Sequence, residues 1–293
     1  MVPTHRRPAQ LTRCLEALVN LSYPSHLYEV VIVDDGGAEA TADLVAAANV
    51  PGKANVVLLT VTRGGPAKAR NAGARVARGQ LLAFTDDDCV PEPDWLTHLD
   101  ARLHECPDAI VGGHTVNAVV GQHCSIASQL LVDYLYGYYF GRHKGSRFFT
   151  TNNLAVTAAG FQGCGGFDES FPLAASEDRE FCERWERNGG GLEFAEQALV
   201  GHWHRLTLRG FIRQHFNYGR GADFLHRSRN RATGGRRRPK LEPTAFYWNL
   251  IWYPFHRKPP VEAACLSCLM FLSQAVYGCG YVYQRVRNAG HSR

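Results

Sequence analysis

Three consecutive carboxylates, Asp86-Asp87-Asp88, close the short apolar stretch Leu81–Thr85. Neighbouring carboxylates repel one another and resist joint ionisation. The usual relief is a divalent cation, and an all-oxygen donor set favours Mg²⁺ or Mn²⁺ over zinc. Val90-Pro91 ends the segment, so the carboxylates lie on a turn at the carboxyl end of a strand. Open α/β sheets place their ligands there. A solvated acidic turn would have the same sequence, and the difference lies in what accompanies it. A second acidic strand end, Asp34-Asp35-Gly36-Gly37, precedes it, as does the basic glycine-rich run Arg63–Gly73 with Lys68, Arg70 and Asn71. Glu177-Asp178 and His202-x-His204 follow it.

Each companion also has a plain structural explanation. Glycines, a helix N-terminus, Lys68 and Arg70 suit a nucleoside diphosphate. The spacing fits neither a Walker loop nor a dinucleotide fingerprint, and an ordinary strand–helix turn explains it equally well. An acidic pair at a helix start is commonly a cap, but beside a metal-type turn Asp178 becomes a candidate general base. His202-x-His204 is either an unremarkable strand end or a source of a metal ligand or diphosphate contact, with His204 taken as the ligand.

Positioning these groups requires alternating strands and helices. Apolar residues at Leu11, Cys14, Leu15, Leu18 and Leu21 give a helix over 9–21,. Tyr28–Val33 reads as a strand buried on both faces, 39–48 as a helix, and Val56–Val61 as a strand,. Pro66 starts a helix that Gly79 closes, and Leu81–Thr85 follows as a strand,. Three such alternations within 90 residues imply a parallel α/β sheet with right-handed crossovers. Further on the pattern predicts helices over 93–105 and 125–140, strands at Ala109–Gly112 and 151–156, and a glycine-rich loop at 161–168. A helix capped by Ser176, strands at 192–195 and 198–203, and a helix over 208–226 complete this part,.

With 293 residues, 45% hydrophobic and 20% charged, the chain is globular in composition,. The net charge of +5 is local: 227–240 hold seven Lys/Arg and no acid, leaving −2 elsewhere, so no nucleic-acid-binding surface is expected,. Nine cysteines without repeated spacing argue against zinc and for a reduced, cytosolic environment,. No signal segment opens the sequence, and only Val2 remains of the strand expected before Pro3, which points to an incomplete start,.

Taken in order over residues 2–205, these pieces resemble the family-2 glycosyltransferases of the GT-A fold. Pro3 and Thr4 resemble the end of the family's first strand, where the nucleotide base is held. Asp34-Asp35-Gly36 matches the acidic motif contacting base and ribose, and Lys68-Ala69-Arg70-Asn71-Ala72-Gly73 matches the segment beside the nucleotide. Asp86-Asp87-Asp88 is similar to the D-x-D motif. The resemblance puts Asp86 on the ribose side and Asp88 nearest metal and diphosphate, with both as metal ligands, and leaves Asp87 as the most replaceable member. Gly165-Gly166-Phe167-Asp168-Glu169-Ser170-Phe171 matches a loop bordering the acceptor, and Glu177-Asp178 the ED motif, whose Asp178 is the implied base.

The resemblance implies a mostly parallel, Rossmann-like sheet flanked by helices, with residues 1–110 as the nucleotide-sugar half and 111–205 as the acceptor half. It implies an inverting, metal-dependent transfer from a UDP-, GDP- or dTDP-sugar to a hydroxyl acceptor, in keeping with cell-envelope polysaccharide synthesis. No Gln-x-x-Arg-Trp motif follows Asp178, and Arg213-Gln214-His215-Phe216 is arranged differently, so single-sugar addition is expected. The competing readings are a metal-dependent nucleotidyltransferase, which lacks its glycine-rich loop at Thr4–Pro8, and a non-catalytic nucleotide- or glycan-binding module.

Residues 206–293 lie outside these motifs and read as a helical, basic and aromatic region. The run His226–Lys240 reads as a flexible basic loop, either solvated or facing anionic lipid head groups,. An aromatic cluster over Thr244–Phe255 precedes Ala263–Tyr283, 21 residues without a charge. As a helix that stretch is about 31 Å long, just enough to span a bilayer. A spanning, an interfacial and a buried core helix all fit. Membrane association at the cytoplasmic face, with a lipid-linked acceptor, is the expectation.

Overall fold

The structure, a computed structural model, describes residues 1–141, 147–235 and 241–290. The chain begins with β1 (Val2–Thr4), α1 (Pro8–Leu18), β2 (Glu29–Asp35), α2 (Glu39–Ala48), β3 (Asn55–Val61), α3 (Pro66–Val76) and β4 (Leu81–Phe84). β1, β2 and β3 pair in parallel. Met1 extends this sheet to β4: its N–H donates to the Ala83 carbonyl (2.8 Å), and Thr85 N–H donates to the Met1 carbonyl (3.1 Å). That stagger is the pattern of a parallel pair.

Alternate residues of β2 serve its two faces. Val30 and Ile32 join the cluster containing Leu11, Cys14, Leu15 and Leu18 of α1, while Val31 and Val33 pack with Ala69 of α3. A strand covered on both sides must be continuously apolar, and Val30–Val33 is. Packing of α3 against β2 is close enough that a Cβ on Gly73 would lie 2.8 Å from Val33 Cγ2.

The next elements are β5 (Cys89–Pro91), α4 (Trp95–Glu105), β6 (Ala109–Asn117), α5 (His123–Phe140), a 3-10 turn (Thr151–Asn153), β7 (Leu154–Thr157), α6 (Ala158–Gly163), α7 (Glu177–Arg187) and β8 (Gly191–His202). They form a mixed sheet in the order β4-β7-β6-β8-β5, in which β7 and β5 run antiparallel to their neighbours. The two short strands expected at 192–195 and 198–203 are one strand. The apparent break is a bulge: Gly113 pairs with Ala195, but His114 pairs with Leu199,. Part of the expected glycine-rich loop is helical as α6, and 151–153 form a 3-10 turn rather than strand.

The chain closes with α8 (Leu208–Thr233), α9 (Thr244–Trp252), a 3-10 turn (Tyr253–His256) and α10 (Pro260–Gly290). Here the sequence reading needs correction. Residues 226–233, expected as loop, continue α8, because Arg227 pairs with Asp223 one turn earlier (2.8 Å) and Gly234, at φ 62°, supplies the left-handed residue that ends the helix,. The remainder of that basic run, 236–240, lies outside the described residues.

Two compact units result, one of 1–118, 148–172 and 178–203, the other of 119–147, 173–177 and 204–293. The second is a helical assembly whose core holds Leu130, Leu131, Tyr134, Phe211, Phe246, Leu250, Leu266 and Met270. Tyr134 donates its hydroxyl to the Phe246 carbonyl at 2.7 Å, so its polar end is satisfied in the apolar setting,.

His215 of α8 is 1% exposed, stacks edge-on with Phe211 at 4.2 Å, and has no hydrogen-bond partner at Nε2 among the described residues. Burial pushes its pKa down to about 4. The unfolded chain takes up this proton near pH 6.5, the folded chain only near 4. Stability is therefore fully present above pH 6.5 and falls as the pH drops from 6.5 towards 4, by roughly 3 kcal/mol in total. Urea midpoints measured between pH 7.5 and 4.5 should show this decline, and His215→Leu should flatten it; an unchanged profile in that variant would place its origin elsewhere.

Candidate functional site

β4 ends at Phe84, and the turn to β5 is closed by Cys89 N–H donating to the Asp86 carbonyl (3.1 Å), which leaves Asp86–Asp88 projecting from the strand end. Each carboxylate meets a different partner. Arg70 of α3, 3% exposed at its side chain, donates to Asp86 Oδ1 at 2.7 Å. Thr4, at the end of β1, donates to Asp87 Oδ2 at 2.8 Å, and Arg7 lies 3.2 Å from Asp87 and 3.4 Å from Asp88. His202 Nε2 of β8 is 3.3 Å from Asp88 Oδ1.

The strand register explains this last contact. β5 pairs antiparallel with β8 so that Cys89 opposes His202, which sets the imidazole beside the preceding Asp88. The ligand atoms of Asp88, Cys89 and His202 lie within 4.8 Å of one another. His204, the expected ligand, is not in this group; its carbonyl accepts from Ser125 Oγ at 2.7 Å. His202 Nε2 stands beside Asp88 instead. Burial would lower the His202 pKa, but the hydrogen bond and charge of Asp88, with the charge of Asp86, raise it overall.

Asp87 departs from expectation. It is 4% exposed, with both oxygens engaged, and burial pushes its pKa up to about 6 against the lowering pull of Arg7. A carboxylate so enclosed is not freely replaceable, because its loss would leave the buried Thr4 hydroxyl without its acceptor,.

The second acidic strand end is bound into the backbone. Asp34 accepts from Gly37 N–H (3.2 Å) and Ala38 N–H (2.8 Å), bracing the approach to α2. Asp35 accepts from Gly64 N–H (2.7 Å) and Gly65 N–H (2.9 Å), shaping the turn into α3, while His5 Nδ1 donates to the Asp35 carbonyl at 2.6 Å. Pro3 sits on β1 opposite Val33. Lys68 Nζ reaches Thr62 Oγ1 at 3.4 Å.

Asn71 is spent on a neighbouring loop. Its amide oxygen accepts from Phe167 N–H (2.9 Å), and its nitrogen donates to the Phe167 carbonyl (2.8 Å) and Glu169 Oε1 (3.0 Å). Gly165 and Gly166 turn this loop at φ 85° and 68°, and a Cβ on Gly166 would come within 2.7 Å of Asn71 Oδ1. From the other side Arg184 of α7 donates to the carbonyls of Cys164 and Gly166, the latter at 2.6 Å, while Glu180 holds its guanidinium at 2.8 Å. Asn71 and Arg184 together fix the loop.

Glu177 and Asp178 open α7, and Glu177 is 3% exposed. Ser176, expected to cap this helix, has φ 71°, the left-handed region that ordinary side chains avoid,. Asp178 Oδ1 accepts from Arg179 N–H at 2.7 Å. Burial raises its pKa, opposed by that hydrogen bond and by the charges of Arg179 and Arg70. Arg70 thus acts electrostatically on both Asp86 and Asp178.

Sequence reasoning missed Arg7 and Arg184, and of the pair His202 and His204 it chose the wrong member to set beside Asp88. A cation just past the end of β1 could have been found, because that strand end must neighbour the acidic turn in a parallel sheet. The β5–β8 register and the reach of Arg184 had no local signal.

A profile of glycosyl transferase family 2 matches residues 1–164, more than half of the chain. A pre-mycofactocin glycosyltransferase of Mycobacterium tuberculosis is 27% identical over 232 residues, which is 76% of this chain and 46% of the relative. A probable glycosyltransferase of Bacillus subtilis, YdaM, is 24% identical over 235 residues, covering 77% and 55%. The chain thus spans about half the length of these curated relatives. Among solved structures, a mannosyltransferase of Pyrobaculum calidifontis in complex with GDP-Man and Mn²⁺ superposes with a TM-score of 0.61 at 17% identity, covering 100% of this chain and 79% of the other. TarS 1–349 of S. aureus in complex with UDP-GlcNAc gives 0.54 at 18% identity, covering 99% and 90%. These likenesses establish the GT-A fold, and by the extent of the family match the chain belongs to glycosyl transferase family 2.

Proposed function

We propose that the chain moves a single sugar from a nucleoside-diphosphate sugar to a hydroxyl acceptor, with inversion at the anomeric carbon and with a divalent cation. The observation that carries this is Asp88 and His202, from different strands, meeting at 3.3 Å on a turn that also holds Asp86 and Asp87. Their donor set fits such an ion: carboxylate oxygen with imidazole nitrogen suits Mn²⁺, and carboxylate suits Mg²⁺. Asp88 and His202 would hold it. Cys89 is a poor third ligand, since burial raises its pKa and keeps the thiol protonated,. When bound, the cation neutralises the diphosphate leaving group.

The chain's own residues supply the rest. Asp86, held by Arg70, faces the ribose; Pro3, Thr4, Asp34 and Asp35 border the base pocket; Lys68 reaches towards the diphosphate. Asp178 accepts the proton of the attacking hydroxyl, and a raised pKa makes it a stronger base than an ordinary aspartate,. The loop with Gly165 and Gly166 borders the acceptor. GDP-Man, UDP and UDP-GlcNAc in the neighbouring structures belong to those proteins, and here they define a donor class of UDP-, GDP- or dTDP-sugars. Single addition rests on the sequence beyond Asp178, which has no polymerase motif. The long apolar α10 supports a membrane surface as partner, and a lipid-linked acceptor at the cytoplasmic face completes the proposal.

Three measurements test this. UDP, GDP and dTDP screened by thermal shift should give one nucleotide that raises the melting temperature by about 5 °C at saturation, with EDTA removing the effect; no nucleotide-dependent shift would favour a non-nucleotide binding module. Asp178→Asn should keep that shift and lose at least about 100-fold in transfer, whereas near-normal turnover would exclude Asp178 as the base. Asn71→Ala should also keep the shift, but lose roughly 10- to 100-fold in transfer with a raised acceptor KM, because it frees the loop at Phe167. Loss of the nucleotide shift in Asn71→Ala would show instead that Asn71 contacts the donor.

A further inference from the structure

α10 is apolar on its outer side as well as on its inner one, where Ala263, Leu266 and Met270 are fully buried. The side chains it turns inward include Ser267, Ser273 and Gln284, each less than a tenth exposed. Their polar atoms are satisfied: Ser267 donates to the Ile251 carbonyl (2.7 Å), Ser273 to the Met270 carbonyl (2.6 Å), and Gln284 accepts from Arg220 Nε (2.9 Å). The side it turns outward carries Val261, Cys265, Cys268, Phe271, Cys279 and Val282, with Val261 88% and Phe271 62% exposed. No charged residue occurs from Ala263 to Tyr283. A surface helix in water places its polar residues outward, and an uncovered apolar stripe of this length marks an interaction surface.

Lipid could receive this face with α10 lying across the bilayer or along it, and α8 decides between the two. α8 and α10 run in the same direction. A Cβ on Gly219 would touch the Tyr277 carbonyl and one on Gly280 the Phe216 carbonyl, while Arg220 meets Gln284 and Asn288 donates to Asp223 at 2.9 Å. The same register, continued backwards, sets exposed Arg209 and Arg213 level with Ser273 and Tyr277, well inside the uncharged stretch. An α10 that crossed the bilayer would carry both guanidinium groups into hydrocarbon, where charge is heavily penalised. Lying in the plane, with its outer face about 5–10 Å deep, it leaves α8 in water.

Charge names the kind of lipid. Residues 206–293 hold 15 Lys/Arg against 3 acids, a net +12, whereas residues 1–205 carry −7. Exposed Arg257 precedes the apolar stripe, and exposed Arg285 and Arg287 follow it. Basic groups flanking an apolar face are complementary to an anionic membrane surface. We propose that α10 docks in the plane of an anionic lipid surface through its Val261–Val282 face, as a monotopic anchor and not as a membrane span. This rests on the membrane-surface part of the proposed function and is independent of the sugar-transfer chemistry.

The native cysteines of that face report on it. Maleimide labelling of Cys265, Cys268 and Cys279 in the full chain, followed by peptide mass analysis, should be slowed about 10-fold at all three by vesicles rich in phosphatidylglycerol. Phosphatidylcholine vesicles should give no such protection, and bound protein should be released by alkaline carbonate. Phe271→Glu combined with Val282→Glu should abolish vesicle binding while keeping the nucleotide-dependent thermal shift, which separates this proposal from the catalytic one. Labelling rates indifferent to anionic vesicles would overturn it, as would full vesicle binding by the double variant. Protection that grows with protein concentration in the absence of lipid would assign the face to a second copy, and carbonate-resistant retention would mean that α10 spans.

Discussion

Three adjacent carboxylates on one turn are unstable unless each is given its own counterweight, and the sheet around them supplies these from separate places in the chain. Arg70 comes from α3, Thr4 from the end of β1, Arg7 from just before α1, and His202 from the end of β8. None is a sequence neighbour of the turn. They meet because β1 and β4 run parallel with their carboxyl ends level, and because β8 ends opposite β5. The partition is unequal: Arg70 is buried beneath a partly exposed Asp86, whereas Arg7 is half exposed and bridges two acids. Such pairs contribute little to net stability, but removing Asp86 would leave the buried Arg70 guanidinium without this partner,. The turn is therefore held by geometry that the fold cannot relax locally.

The loop around Gly166 obeys a similar logic with hydrogen bonds in place of charges. Asn71 gives both ends of its amide to the Phe167 backbone, and this works only if residue 166 has no side chain, since a Cβ there would meet Asn71 Oδ1. Arg184, fixed by Glu180, holds the carbonyls on the opposite side. A glycine pair that looks like a flexible segment is in fact a clamped one. Flexibility of backbone choice and mobility in place are different properties, and here the first is used to prevent the second.

The parallel half of the fold was legible because its strands are continuous apolar runs punctuated by glycine and proline, as at Glu29–Asp35 and Pro66. The antiparallel half was less so. A bulge disguised β8 as two strands, and β7 follows a turn of buried polar residues, Thr151–Asn153, with no hydrophobic period. Motif residues could be picked out, but their duties could not, because duty depends on register. His202 and His204 are equivalent on paper and separated only by the pairing of β5 with β8. Asp87 looked dispensable because burial is invisible in a triplet of identical residues. The length of α8 was hidden by arginines that read as loop until Arg227 is seen to pair with Asp223.

Asp35 raises a question about how a diphosphate could be received at all. The backbone N–H groups at the start of α3 are the expected anion cradle, yet Gly64 and Gly65 already give theirs to the Asp35 carboxylate at 2.7 and 2.9 Å. Arg70, which might have served instead, is committed to Asp86. Lys68 Nζ has one hydrogen-bond partner among the described residues, the Thr62 hydroxyl at 3.4 Å, and is less committed than Arg70. The Asp35 carboxylate braces this turn from within. The donor phosphates would then be met mainly by Lys68 and the ion held near Asp88, with the backbone of Gly64 and Gly65 serving as scaffold. That division accounts for an acidic residue lying where a phosphate-binding turn would otherwise show only glycine and cation.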